Sequence, residues 1–215
     1  IIREFSAVET LGSVSTIITD KTGTLTQNTL TVKRFMAGAE GPFTTEGEGW
    51  SPHGTIAPHS TGGEAYRMLM AIAGACNNAS LAEKDGTYEL IGDPTEGALL
   101  VLACKSGLYD AQQAAIERLD DLPFDSTLKM RATLVCWDGR HHLFVAGAPE
   151  MVLRRSAQHF TTQGLAPFAA QERAAMHERI EAWSGEAMRV IALACVEVPA
   201  TVTTIDNATI EGLCF

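Results

Sequence analysis

Residues 129–147 constrain the fold more than any other stretch of this chain. Two extended runs, 129–137 and 141–146, are rich in apolar and β-branched residues and are separated by Asp138-Gly139. Runs joined by an Asp-Gly pair form a β-hairpin, because the two-residue turn that matches strand twist needs positive φ at both central positions. An antiparallel pair therefore sits at the centre of the sequence, and helical patterns flank it. Residues 64–75 place Tyr66, Leu69, Met70 and Ile72 on one face and stop at Asn77-Asn78. Asp93-Pro94 offers an N-cap followed by proline at the first helical position, which predicts a helix over 95–105 closed by Gly107. Further helices are expected over 111–119, 149–155 and 169–183, the last with Met176, Ile180 and Trp183 at helical spacing.

Short strands complete the pattern. Residues 13–19 form a β-branched run that ends at Asp20, 29–36 read as a second strand, and 190–198 as a buried one. Asp85-Gly86 predicts a hairpin pairing 81–83 with 88–91. The Gly, Pro, Ser and Thr content of 37–63 predicts an irregular loop with strand pieces, and nothing in the pattern places the residues after Pro199. The expected fold class is α+β, an antiparallel sheet flanked by helices, spanning about Thr31 to Pro199 and inserted after a first strand-turn unit.

Composition narrows the function. The chain has 215 residues, 46% hydrophobic, with 16 basic and 26 acidic side chains and a formal charge of −10. That balance argues against nucleic acid as a partner, since phosphate contacts need a basic face. No apolar run approaches the roughly 18 residues of a membrane span, and no signal peptide opens the sequence. The five cysteines show no Cys-x-x-Cys or Cys/His spacing, so they read as buried reduced thiols and not as zinc ligands.

The turn Asp20-Lys21-Thr22-Gly23-Thr24 carries the clearest chemistry. A carboxylate leaving the end of a strand sits where α/β sheets bind ligands, and the N–H groups and hydroxyls after it can surround a phosphoryl group. Asp20 can attack phosphorus to give an acyl phosphate, while Lys21 and a magnesium ion neutralise the developing charge. Two residues beyond the nucleophile stands Thr22, which transfers protons poorly at neutral pH. The residues therefore point to a phosphoryl group that is stored, and less well to a phosphatase.

Thr19-Asp20-Lys21-Thr22-Gly23-Thr24-Leu25-Thr26 resembles the phosphorylation motif of P-type ATPases, ion pumps that pass through an aspartyl phosphate. More of the family's pattern follows in order. Gly92-Asp93-Pro94-Thr95-Glu96-Gly97-Ala98-Leu99 is similar to the nucleotide-domain segment whose glutamate bonds the adenine amino group, here Glu96. Leu122 to Met130 resembles the segment whose phenylalanine stacks on adenine and whose lysine reaches the nucleotide, here Phe124 and Lys129. Gly147-Ala148-Pro149-Glu150 is similar to the tetrapeptide beside the adenosine, and Met188 to Ala194 to the strand whose arginine contacts phosphate, here Arg189. Taken singly, Phe124 reads as core, Lys129 and Arg189 as solvated charges, Glu96 as a first-turn carboxylate and Asp93 as an N-cap. Their order behind the Asp20 motif turns that reading around.

The resemblance implies a type II, calcium-pump-like cation-transporting ATPase. It further implies a nucleotide-binding domain over 31–200, a stub of a HAD-like α/β phosphorylation domain over 1–30, and a return segment over 201–215. ATP would be the substrate, and Mg²⁺ the cofactor, held by Asp20 and the Thr22 backbone. The phosphorylation, actuator and transmembrane domains of the parent pump would be partners on the cytoplasmic side of a membrane. The piece itself is expected to be a monomeric fragment that does not turn over alone; a pure nucleotide-binding module is the alternative, a HAD-like phosphatase the weaker one. Two positions depart from the family. Ala146 stands where a lysine normally precedes the tetrapeptide, and Ser126 where an arginine is common. A lost cation near the nucleotide costs about 1 to 3 kcal/mol of binding, so weaker ATP binding, or compensation by Lys129 and Arg189, is expected.

Overall fold

The structure, a computed structural model, describes residues 12–16, 18–20, 24, 26, 29–59 and 62–215. Its centre is the hairpin read from the sequence. Strand β7 (Met130–Trp137) pairs with β8 (Arg140–Gly147) in unbroken register from Trp137↔Arg140 to Met130↔Gly147. Asp138 and Gly139 take φ of 51° and 76°, the conformation that a twist-matched two-residue turn requires.

Around this pair a seven-stranded sheet is built. β6 (Ile116–Asp125) lies outside β7, and β11 (Ala192–Val198) outside β8. Beyond β11 come β12 (Leu213–Cys214), β9 (Ser156–Thr161) and, at the far edge, β10 (Gly164–Pro167). All neighbours are antiparallel except β12 and β9, which run parallel, so the sheet is mixed. Two small sheets accompany it: β1 (Arg34–Ala37), β2 (Glu40–Thr45) and β3 (Ile56–Ala57), and the hairpin β4 (Ser80–Lys84) with β5 (Thr87–Ile91).

Both faces of the main sheet are covered, which is why β7 is buried from Met130 to Val135 instead of alternating. On one face lie α1 (Glu64–Ala75) and α2 (Pro94–Lys105), whose Ile72, Ala75, Leu99 and Ala103 pack on Val135, Phe144, Ala146 and Cys195. On the other, Val152 of α4 (Pro149–Arg155) and the tail residues Ile210 and Leu213 pack on Ala132, Leu134 and Val145. Phe35, Phe43 and Tyr66 join the first small sheet to α1 and α2, with the two phenylalanine rings stacked at 4.9 Å.

Three expectations are corrected. The helix read over 111–119 is α3 (Tyr109–Ala115), and at Ile116 the chain enters β6. β6 is an edge strand, where exposed Glu117 and Arg118 and half-buried Asp120 hide the strand pattern and Pro123 needs no ladder partner. The strand expected over 13–19 is not formed among its described residues, 13–16 and 18–19, which lie outside the three sheets; a β-branched run becomes a strand only when it pairs in a sheet. The strand read over 29–36 begins only at Arg34, where pairing with β2 starts.

The sequence pattern also left three strands unplaced: β9, β10 and β12. Arg155 holds the tail that leads to β12, donating from Nη1 to the Ile210 carbonyl at 2.8 Å and from Nη2 to Asn207 Oδ1 at 2.7 Å. The longest helix, α5 (Ala170–Gly185), has no fully buried residue. Arg173 fastens it instead. Its guanidinium donates to the carbonyls of Phe168, Leu153 and Ser156 and lies 4.4 Å from the Phe168 ring centre. Arg173→Met, which keeps the aliphatic stem, is expected to lower unfolding free energy by about 2 kcal/mol or more, read as a lower urea midpoint.

A candidate nucleotide site at one end of the sheet

Strand register decides which side chains meet. Met130 at the start of β7 pairs with Gly147 at the end of β8, and Gly147 pairs with Ala192 at the start of β11. The segments that carry Lys129, Gly147 and Arg189 therefore converge at one end of the sheet. β6 reaches the same end, with Asp125 opposite Met130. Leu122 and Asp125 pair with Ala132 and Met130, leaving Pro123 and Phe124 together opposite Arg131, a bulge. Phe124 emerges from it 60% exposed, an uncommon position for a large aromatic side chain.

Gly147 is where backbones come closest. A Cβ there would lie 2.5 Å from Met130 Cβ and 2.6 Å from the Lys129 carbonyl oxygen, so only glycine fits. Lys129 itself is set by a tight turn. Asp125 Oδ1 accepts from the amides of Thr127 and Leu128 at 2.7 and 2.8 Å, and Lys129 follows with φ of 52°. Those amide bonds hold the Asp125 carboxyl below its usual range. The Lys129 ammonium lies 3.5 Å from Glu150, with both side chains 57% exposed, a pair too solvated to immobilise it.

Helix α2 brings Thr95 and Glu96 to the same end. Asp93 caps it, accepting from the amides of Thr95 and Glu96 at 2.7 and 3.2 Å, with Pro94 in the first turn as the sequence predicts. Arg189 donates from Nη1 to Thr95 Oγ1 at 3.1 Å. Thr95 and Arg189 also border a cavity of about 360 Å³ lined by Leu69, Ile72, Leu99, Met176, Ile180 and Trp183. This cavity is where the helical stripe of α5 faces.

Glu96, in the first turn of α2, has both carboxylate oxygens bonded within the protein. Its Oε1 is paired with Arg131 Nη1, and its Oε2 accepts from the Asn78 amide at 2.7 Å. Arg131, a residue sequence reasoning missed, is 4% exposed and reaches both Asp121 oxygens from Nη2, at 2.8 and 3.1 Å. Asp121 also accepts from Thr133 at 2.7 Å, Arg118 at 3.0 Å and Asn78 at 3.2 Å. One signal was legible: an arginine inside the otherwise uncharged run of β7 must find a carboxylate. Ala146 lies directly opposite Arg131 on β8, buried in the α1–α2 core, so the two share one face of the sheet.

Asp20 is described and exposed, with the Thr19 hydroxyl donating to its carbonyl at 3.2 Å. Lys21 and Thr22 lie outside the described residues. Among the described residues no group of three His, Cys, Asp or Glu side chains could hold a metal, and no helix is long and apolar enough to cross a membrane.

Burial pushes the Asp121 carboxyl up, but bonds from Thr133, Arg131 and Asn78 outweigh it and hold the group below its ordinary value. A depressed carboxylate stabilises the fold above its unfolded pKa of about 3.9 and loses that contribution as pH falls through the folded value. Asp121→Asn is thus expected to lower stability at pH 7 and to reduce its loss below pH 4, as read by urea unfolding at pH 7 and pH 2.

Comparison with known proteins accords with this geometry. The family described as P-type ATPase, cytoplasmic domain N, matches residues 65–215. The calcium-transporting ATPase of Bacillus subtilis is 32% identical over 201 residues, 90% of this chain and 22% of that protein. The cation-transporting ATPase pma1 of Synechocystis is 35% identical over 228 residues, covering 100% of this chain and 25% of its own length. The probable cation-transporting ATPase F of Mycobacterium bovis is 34% identical over 221 residues, 99% of this chain and 24% of that protein. The chain thus spans about a quarter of the length of the curated relatives it matches. By these matches the chain belongs to the P-type ATPase family, in the part that forms the cytoplasmic domain N.

Proposed function

We propose that this chain binds ATP at the end of the sheet where Phe124, Lys129, Gly147, Arg189 and Glu96 converge. In the parent protein it would present the γ-phosphoryl group to Asp20 of a cation-transporting pump. The convergence set by the Met130–Gly147–Ala192 register carries this reading. An exposed phenylalanine offers a stacking surface for a base. Gly147 lets the ends of β7 and β8 close on each other beside this site. Lys129 and Arg189 supply cations for phosphates, and Glu96 an acceptor for an exocyclic amine.

Charge is the limiting resource in an acidic chain. Ala146 contributes none, so the affinity rests on Lys129 and Arg189, and binding weaker than that of relatives with lysine at this position is expected. The hydrolytic half of the reading concerns the whole pump. Asp20 would receive the phosphoryl group as an acyl phosphate, with Lys21 and Thr22 beside it. Magnesium would shield phosphate charge, held by the Asp20 carboxylate and the Thr22 backbone. Phosphorylation would then drive the conformational change that moves a cation, in concert with the phosphorylation, actuator and transmembrane domains.

Phe124 provides the cleanest test because its exposure means that truncation removes little core. Phe124→Ala is expected to weaken ATP binding about tenfold, within the 1 to 3 kcal/mol of a stacked base, while leaving the thermal midpoint within a few degrees. Isothermal titration with equal affinity for both chains would exclude the stacking role.

A further inference from the structure

Arg131 is the one charged residue in β7 and is almost wholly buried, and its position is hard to explain by stability alone. A buried guanidinium is costly unless each carboxylate around it is well placed. Asp121 has other donors besides Arg131: Thr133, Asn78 and Arg118 also bond that carboxylate. Glu96 has fewer. Its remaining protein donor is the Asn78 amide on Oε2, and the helix N-terminal amides nearest to it are occupied by Asp93. Arg131 supplies the second anchor, on Oε1.

We propose that Arg131 is a positioning residue that makes this site selective for a base bearing an exocyclic amino group, by fixing Glu96 as an acceptor. The inference rests on the reading of this end of the sheet as a nucleotide site. With one protein donor on each oxygen, Glu96 cannot swing away, yet each oxygen keeps a lone pair. Its side chain is 18% exposed, so only a narrow edge meets solvent. A base with an amino group at the facing position donates to that edge. A base with a carbonyl there presents oxygen to oxygen, so that carbonyl gains no donor and is repelled by the carboxylate. Arg131 touches no ligand in this scheme; it acts through Glu96.

The test compares ATP with inosine triphosphate, which differs by carrying a carbonyl in place of the amino group. Both are titrated, at equal magnesium, into the 215-residue chain and into its Arg131→Met and Arg131→Lys variants, with a circular-dichroism melt of each. The wild type is expected to prefer ATP about tenfold, the worth of one charge-assisted hydrogen bond. Arg131→Met should bring the two affinities within about threefold of each other, mainly by weakening ATP. Arg131→Lys should fall between, since an ammonium gives Glu96 a donor without the fork. A wild type that prefers ATP with an Arg131→Met chain that keeps the preference would reduce Arg131 to a structural part and overturn the inference alone. Equal affinity of the wild type for both nucleotides overturns it too, while sparing the nucleotide site. No binding of either nucleotide to the wild type overturns both readings. Should Arg131→Met fail to fold, Arg131→Lys decides: undiminished preference counts against the inference, and partial loss supports it.

Discussion

Where β8 ends, the backbone passes so near Met130 and Lys129 that residue 147 can carry no side chain. That contact is the hinge of the architecture. It fixes the register of β7 on β8, and through the Gly147–Ala192 pair it fixes β11 as well. Three segments far apart in the sequence are then obliged to end at one place. The bulge at Pro123–Phe124 and the capped start of α2 deliver two more. The site is a consequence of register, in the same way that a shifted register would disperse it.

Electrostatics at this end are arranged in two tiers. Inside, Arg131 faces Asp121 and Glu96, with the exposed Arg118 also on Asp121, a compact network whose opposite charges neutralise one another and whose carboxylates are already bonded. Outside, Lys129 and Arg189 are held by little: a solvated partner at 3.5 Å and one threonine hydroxyl. The buried tier supplies shape and the exposed tier supplies charge. This division leaves two lightly held cations at one end of a chain with a formal charge of −10.

Local signals were the legible ones. Asp138-Gly139, Asp93-Pro94 and the Pro149 helix start each declare themselves within a few residues, because turn and cap preferences are settled by neighbours in sequence. β6, β9, β10 and β12 were not legible. The first is an edge strand crowded with charge, and the two-residue β12 exists only because β9 and β11 lie on either side of it. At the site, the motif order named Phe124, Glu96, Lys129, Gly147 and Arg189, and the structure brings their segments to one end. The Arg131–Glu96–Asp121 network escaped notice because the β6–β7 pairing brings Asp121 to Arg131, and the packing of α2 on the sheet brings Glu96 to both.

The central claim is that strand register gathers these segments into one ATP site. Backbone amide shifts recorded by nuclear magnetic resonance during an ATP titration address it directly. The account predicts that the largest changes fall on Glu96, Phe124, Lys129, Gly147 and Arg189 together, with β9 and β10 at the far edge unmoved. Changes gathered instead on Met176, Ile180 and Trp183, around the cavity beneath α5, with Phe124 and Lys129 silent, would contradict it.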